Sequence, residues 1–134
     1  PFFCDYGSEI GRVADAVIDV WEHEPDIDRR LLQQVFIGTP HIAGYSADGK
    51  ANATRMSLQA FCCFFGLPEE FHIEPPAPSE PLIRATSRAE ALLRIYNPLD
   101  DSRRLKASPE SFESLRGNYA YRREPSAYRI LPIS

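Results

Sequence analysis

Cysteine is scarce in these 134 residues: Cys4, Cys62 and Cys63 are the only three. Their number is odd and two are adjacent, which excludes a disulfide framework, and Cys62-Cys63 lacks the spacing of a zinc site. A reduced, cytoplasmic protein with no metal is the expectation. No apolar run approaches the roughly 20 residues that span a bilayer. The opening Pro1-Phe2-Phe3-Cys4-Asp5-Tyr6 lacks the basic and apolar regions of a secretory leader. Also missing is any G-x-G-x-x-G, so no pyrophosphate cradle of that kind is expected here. Charge is not missing, at 25% of residues, and with 43% hydrophobic residues this is the composition of a folded chain.

Charge and proline are unevenly spread. Residues 1–81 carry 13 acidic and 5 basic side chains, whereas 82–134 carry 6 acidic and 10 basic. Of the twelve prolines, Pro68, Pro75, Pro76, Pro78 and Pro81 fall close together before that change of sign. The shift divides the chain into 1–71, an extended proline-rich linker at 72–81, and a second unit at 82–134. A unit of roughly 50 residues is marginal alone and is expected to pack on something else.

The short β-branched run Ala16 to Val20 predicts a strand buried on both faces, as in parallel sheets. Asp26 and Asp28 precede a short helix at 29–34, and Val35-Phe36-Ile37-Gly38 predicts a second strand. Strand, helix, strand is the α/β pattern. Ser46 or Asp48 caps a longer helix reaching Phe65, closed by Gly66 and Pro68. Its Met56, Ala60, Cys63 and Phe64 share one face, and the helix, Cys62 and Cys63 included, is expected to pack in a core. Beyond the linker, Leu82–Thr86 predicts a strand. Ser87-Arg88-Ala89-Glu90 is a capping box opening a helix that Pro98 ends. Ser108-Pro109 opens another that stops at Gly117, and residues 127–131 form a last strand. The second unit is thus expected to run β-α-α-β.

Glu24 and His41 each follow the end of a predicted strand, where ligands of open α/β sheets bind. A carboxylate beside an imidazole orients the ring for proton exchange near neutral pH. The bland alternative is a structural histidine after the Thr39-Pro40 turn. His23 and His72 are expected at the surface, and Lys50, at a helix start, is expected to be solvated.

The segments Asp19-Val20-Trp21-Glu22-His23-Glu24-Pro25 and Thr39-Pro40-His41-Ile42-Ala43-Gly44 resemble the D-isomer-specific 2-hydroxyacid dehydrogenases. That family carries D-V-[FW]-x-x-E-P and then T-P-H-x-x-G, with the histidine some 17 positions after the glutamate, as His41 is after Glu24 here. The tail, Phe112 to Tyr119 with Arg122-Arg123-Glu124, resembles the dimerisation domain that one branch of the family adds at its C-terminus. The resemblance implies an α/β fold: the C-terminal part of a Rossmann-like NAD-binding domain, then a small α+β dimerisation domain at 82–134. It implies that His41 is the acid–base group, taking the proton of the substrate C2 hydroxyl as hydride leaves to NAD, and that Glu24 holds it. It implies that Asp19 and Gly44 contact NAD, that Tyr45 touches a small phosphorylated 2-hydroxy acid, and that the protein is a homodimer. The family's carboxylate-binding Arg, in an R-G turn, and its substrate-binding domain have no counterpart among these residues, so the isolated chain is expected not to turn over. Residues 1–11 do not match the family.

Two other readings stay open at this level. Another member of the family, such as one acting on phosphoglycerate, shares the dyad. Residues 82–134 could instead serve only to dimerise. Nucleic-acid binding through Arg103-Arg104-Leu105-Lys106 and Arg122-Arg123 lacks a stacking-aromatic motif, and acidic neighbours offset the charge.

Overall fold

A computed structural model describes residues 13–132; Cys4 and the unmatched segment 1–11 lie outside it. The described chain is mixed α/β and divides into two compact units, 13–43 with Asn97–Ala120 and Gly44–Tyr96 with 121–132.

In the first unit, β1 (Val17–Ile18) and β2 (Ile37–Gly38) pair in parallel, with Ile18 opposite Gly38. Helix α1 (Arg29–Gln34) crosses between them, capped by the Asp28 carboxylate, which accepts from the amides of Arg30 and Leu31. Trp21, Ile27, Leu31, Leu32 and Val35 bury themselves with Leu105 and Phe112 from the returning segment. Helix α4 (Pro98–Ala107) supplies Leu105 and packs on β2. Its Ser102 hydroxyl takes the Gly38 amide at 3.1 Å, and Lys106 Nζ donates to the Val35 carbonyl.

That arrangement departs from the expected division at the proline-rich stretch. Residues 97–120 leave the basic tail to complete the first core, because β2 needs an apolar cover and Leu105 and Phe112 provide it. The sequence reading also missed α4 as a helix. Its signals were present: Asn97 caps it, Pro98 opens it, Asp100 and Asp101 sit in its first turn, and Arg104 and Lys106 in its last. Nor is β1 buried on both faces. Val17 is 69% and Val20 64% exposed, since among the described residues β1 has only β2 beside it.

In the second unit, α2 (Ala47–Phe65) begins at Ser46, whose hydroxyl accepts from the Gly49 amide at 2.9 Å. It ends on Gly66 in the left-handed conformation, φ 63°, which a residue without Cβ adopts freely. Among the described residues nothing makes a core of its apolar face: Phe61, Phe64 and Phe65 are exposed, as is Cys63, and of the helix only Cys62 is buried. Strand β3 (Leu82–Ala85) pairs in parallel with β4 (Arg129–Pro132), and α3 (Arg88–Ile95) lies against β3. Half of the expected capping box forms: Ser87 takes the Glu90 amide, whereas the Glu90 carboxylate accepts from the amide and hydroxyl of Thr86, one residue before the cap. Residues 66–81 carry no helix or strand. A 3₁₀ turn at Pro125–Ala127 also lies in this unit, whereas the 3₁₀ turn at Pro109–Ser111 and α5 (Phe112–Gly117) belong to the first.

Candidate active site

Because Ile18 lies opposite Gly38, the chains leaving β1 and β2 run out side by side. Asp19 follows one strand and Thr39-Pro40-His41 the other. Trp21 turns its indole back under the second chain and donates from Nε1 to the Thr39 carbonyl at 2.8 Å. Its amide donates to Glu24 Oε1 at 2.9 Å, which fixes that carboxylate one turn further on. Glu24 Oε2 is then 2.8 Å from His41 Nδ1.

The side chains differ in exposure, His41 at 41% and Glu24 at 18%. Burial pushes the Glu24 carboxyl pKa upward, but the Trp21 amide, the His41 ring and the Arg116 charge together outweigh it. The net effect holds it below the ordinary value of 4.5. Glu24 is therefore ionised at neutral pH and accepts only, so the neutral ring carries its proton on Nδ1. Nε2 is left with a lone pair, the form a general base requires.

His41 has φ 54°, in the left-handed region that residues with a Cβ enter rarely. Its amide donates to the carbonyls of Asp19 (2.9 Å) and Thr39 (3.0 Å). The Asp19 carboxylate accepts from the Thr39 hydroxyl at 2.7 Å, the Ile42 amide at 2.8 Å and the Ala43 amide at 3.0 Å. Pro40 and Ile42 are fully buried on either side of the histidine.

Three of the five expected site residues, Asp19, Glu24 and His41, are thus joined to one turn. Gly44 and Tyr45 fall in the second unit. A Cβ built on Gly44 meets open space. The Tyr45 ring lies 5.9 Å from that of Tyr121, and Lys50 Nζ sits 4.1 Å above Tyr45 and 5.7 Å from Tyr121. Lys50 therefore makes a cation–π contact that its place at a helix start did not announce. The pairing of Arg123 with Asp48 also escaped sequence reading. The guanidinium grips both oxygens of Asp48, at 2.9 and 3.0 Å, and Asp48 also takes the Glu124 amide. The i,i+75 separation leaves no local trace of that pair. His23 and His72 are exposed.

Asp19 retains about one of a carboxylate's four acceptor positions, enough for one amide donor. Nothing in the sequence offers a glycine-rich cradle for a pyrophosphate. Among the described residues no group of three His, Cys, Asp or Glu is placed to hold a metal ion, and no helix is long and apolar enough to cross a membrane.

No protein-family profile matches the chain. Single proteins do. It is 66% identical over 123 residues to a protein of Bacteroides thetaiotaomicron, covering 92% of this chain and 35% of the relative. A Bacteroides fragilis protein is 61% identical over 121 residues, with 90% and 35% covered. One from Porphyromonas gingivalis is 48% identical over 122 residues, with 86% and 33% covered. All three are dehydrogenases, and the chain is homologous to part of this class of oxidoreductase. More narrowly, the relatives are erythronate-4-phosphate dehydrogenases, and the chain spans about 35% of their length.

Proposed function

We propose that the chain is the C-terminal portion of an NAD-dependent erythronate-4-phosphate dehydrogenase and carries its acid–base pair. The observation behind this reading is the 2.8 Å contact between His41 Nδ1 and Glu24 Oε2. The proposed reaction converts 4-phospho-D-erythronate to 2-oxo-3-hydroxy-4-phosphobutanoate, a step of pyridoxine biosynthesis in the cytoplasm. His41 Nε2 accepts the C2 hydroxyl proton. The imidazolium that forms is stabilised by Glu24, already ionised and held by the Trp21 amide. A bound nicotinamide supplies the hydride acceptor. Asp19 and Gly44 are the proposed residues at its nicotinamide end, and Tyr45 is proposed to touch the phosphorylated substrate.

This chain offers no pyrophosphate cradle, and no Arg–Gly turn matching the carboxylate clamp of the family it resembles. Orientation of bound reactants accounts for ~7–11 kcal/mol of a catalysed barrier, so the chain alone is proposed to be inactive. The first unit fits the end of a Rossmann-like domain, and residues 82–134 are proposed to mediate a homodimer, to be measured by sedimentation.

The test is a chimera in which this chain replaces the matching segment of the Bacteroides thetaiotaomicron dehydrogenase, assayed for NADH with 4-phosphoerythronate. The chimera is expected to turn over, and His41→Ala is expected to lower kcat by roughly 10²–10⁴-fold. A folded chimera without activity, or one indifferent to His41→Ala, would refute the proposal.

A further inference from the structure

We propose that Asp19 is the positioning residue of this site: its carboxylate gathers the turn at 39–43 and so fixes the backbone geometry that carries the His41 ring to Glu24.

The hydrogen-bond accounting supports this. The turn has four backbone N–H groups, because Pro40 has none. Thr39 donates to the Ile18 carbonyl and His41 to the Asp19 carbonyl, while Ile42 and Ala43 donate to Asp19 Oδ1 and Oδ2. The Thr39 hydroxyl adds a third bond to the carboxylate. Every backbone donor of the turn therefore reaches Ile18 or Asp19, the His41 amide sharing its bond with the Thr39 carbonyl. His41, at φ 54°, sits between the anchored positions. A residue with a Cβ stays in that region only when its surroundings over-determine it. The ring's own side-chain bond among the described residues is to Glu24. One pair contact cannot set a backbone conformation; the anchored amides on either side can.

This use of Asp19 is distinct from its proposed contact with a nicotinamide. Three of about four acceptor positions are occupied by the chain itself, and one, on Oδ2, remains. The role of the positioned ring as an acid–base group rests on the dehydrogenase reading; the positioning itself does not.

Asp19→Asn tests the idea with little change of shape. The amide oxygen still serves Thr39 and Ile42, but its NH2 group faces the Ala43 N–H, donor against donor. The measurement is ¹⁵N NMR of this chain at a pH where the ring is neutral. In the native chain the proton is expected on Nδ1 alone. In Asp19→Asn the ring nitrogens are expected to move towards a mixture of tautomers, with hydrogen exchange at Ile42 and Ala43 faster by about tenfold or more. Thr39→Val, which removes one of the three bonds, is expected to shift both readouts the same way by less. Glu24→Gln is expected to invert the tautomer while Ile42 and Ala43 stay protected, separating the partner from the anchor.

A folded Asp19→Asn chain with the Nδ1 proton retained and both amides as protected as before overturns the proposal. If Asp19→Asn does not fold, unchanged protection and an unchanged ring in Thr39→Val overturn it. None of these readouts needs turnover, so an inactive chimera counts against the dehydrogenase reading alone.

Discussion

Gly38 is one residue from Thr39 and three from His41, and it has no room for a Cβ. A Cβ added there would lie 2.7 Å from Leu32 Cδ1 and 2.9 Å from Trp21 Cζ2. Carbon atoms at their best separation are about 3.5–4.0 Å apart, so close to 1 Å must be found. Leu32 is fully buried and Trp21 is 7% exposed, so neither has room to retreat. Moving the strand instead strains the Gly38 amide's bond to Ser102 and the pairing of Ile18 with Gly38. Overpacking of this kind costs about 1–3 kcal/mol, and alanine returns about 0.4–1 kcal/mol by stiffening the unfolded chain. Gly38→Ala is therefore expected to destabilise the first unit by about 1–2 kcal/mol. Trp21 is the sole tryptophan and lies in the strained contact, so its fluorescence reads this unit alone. The urea midpoint should fall by roughly half to one molar. Gly117→Ala, where a Cβ meets open space in the same unit, is the control and should be neutral or slightly stabilising. A Gly38→Ala chain as stable as the native one would mean that Leu32 and Trp21 are not packed as described.

Other consequences can be checked separately. Glu24→Gln keeps the Trp21 bond but faces an NH2 group to His41 Nδ1, forcing the ring proton to Nε2; in the chimera kcat should fall roughly 10²-fold with little change in KM. A change of less than about twofold would discount the dyad. Asp48 is held below its ordinary pKa of 3.8 by the Arg123 guanidinium, against a desolvation that raises it, with help from the Glu124 amide. Its folded value is depressed, so the stability it contributes is complete above 3.8 and is lost as pH falls through the folded value. The urea midpoints of native chain and Asp48→Asn, followed by tyrosine absorbance, should differ at neutral pH and converge in acid; a constant gap would contradict the Arg123 pairing. Ser46→Ala removes a buried helix cap and should cost about 1 kcal/mol, read by circular dichroism as lost α2 helix.

Much of this protein was legible without its structure because the signals are local. Asp28, Ser46 and Ser87 each cap the helix that follows, since a side-chain oxygen two or three residues upstream of an orphan amide needs no tertiary help. Gly66 ends α2 for an equally local reason. The 17-residue interval between Glu24 and His41 could be read as a dyad from its resemblance to a family, and the structure joins them. What escaped reading depends on distant partners. Asn97-Pro98 looked like the end of one helix when it also begins another, and only the packing of Leu105 and Phe112 with Trp21 assigns residues 97–120 to the first unit. The aromatic face of α2 has the pattern of a core helix, but periodicity states which residues share a face and not whether anything covers it.

The sequence by itself determined α1, α2 and α3, their caps, and which carboxylate and imidazole to look for together. It did so because each depends on neighbours within a turn or on a recognisable spacing. Tertiary structure alone decided that Val17 and Val20 are exposed, that Arg123 closes on Asp48, and that Asp19 spends its carboxylate on the turn carrying His41. A carboxylate is chemically the same whether it faces a ligand or its own backbone. Which it meets is set by the parallel register of two short strands.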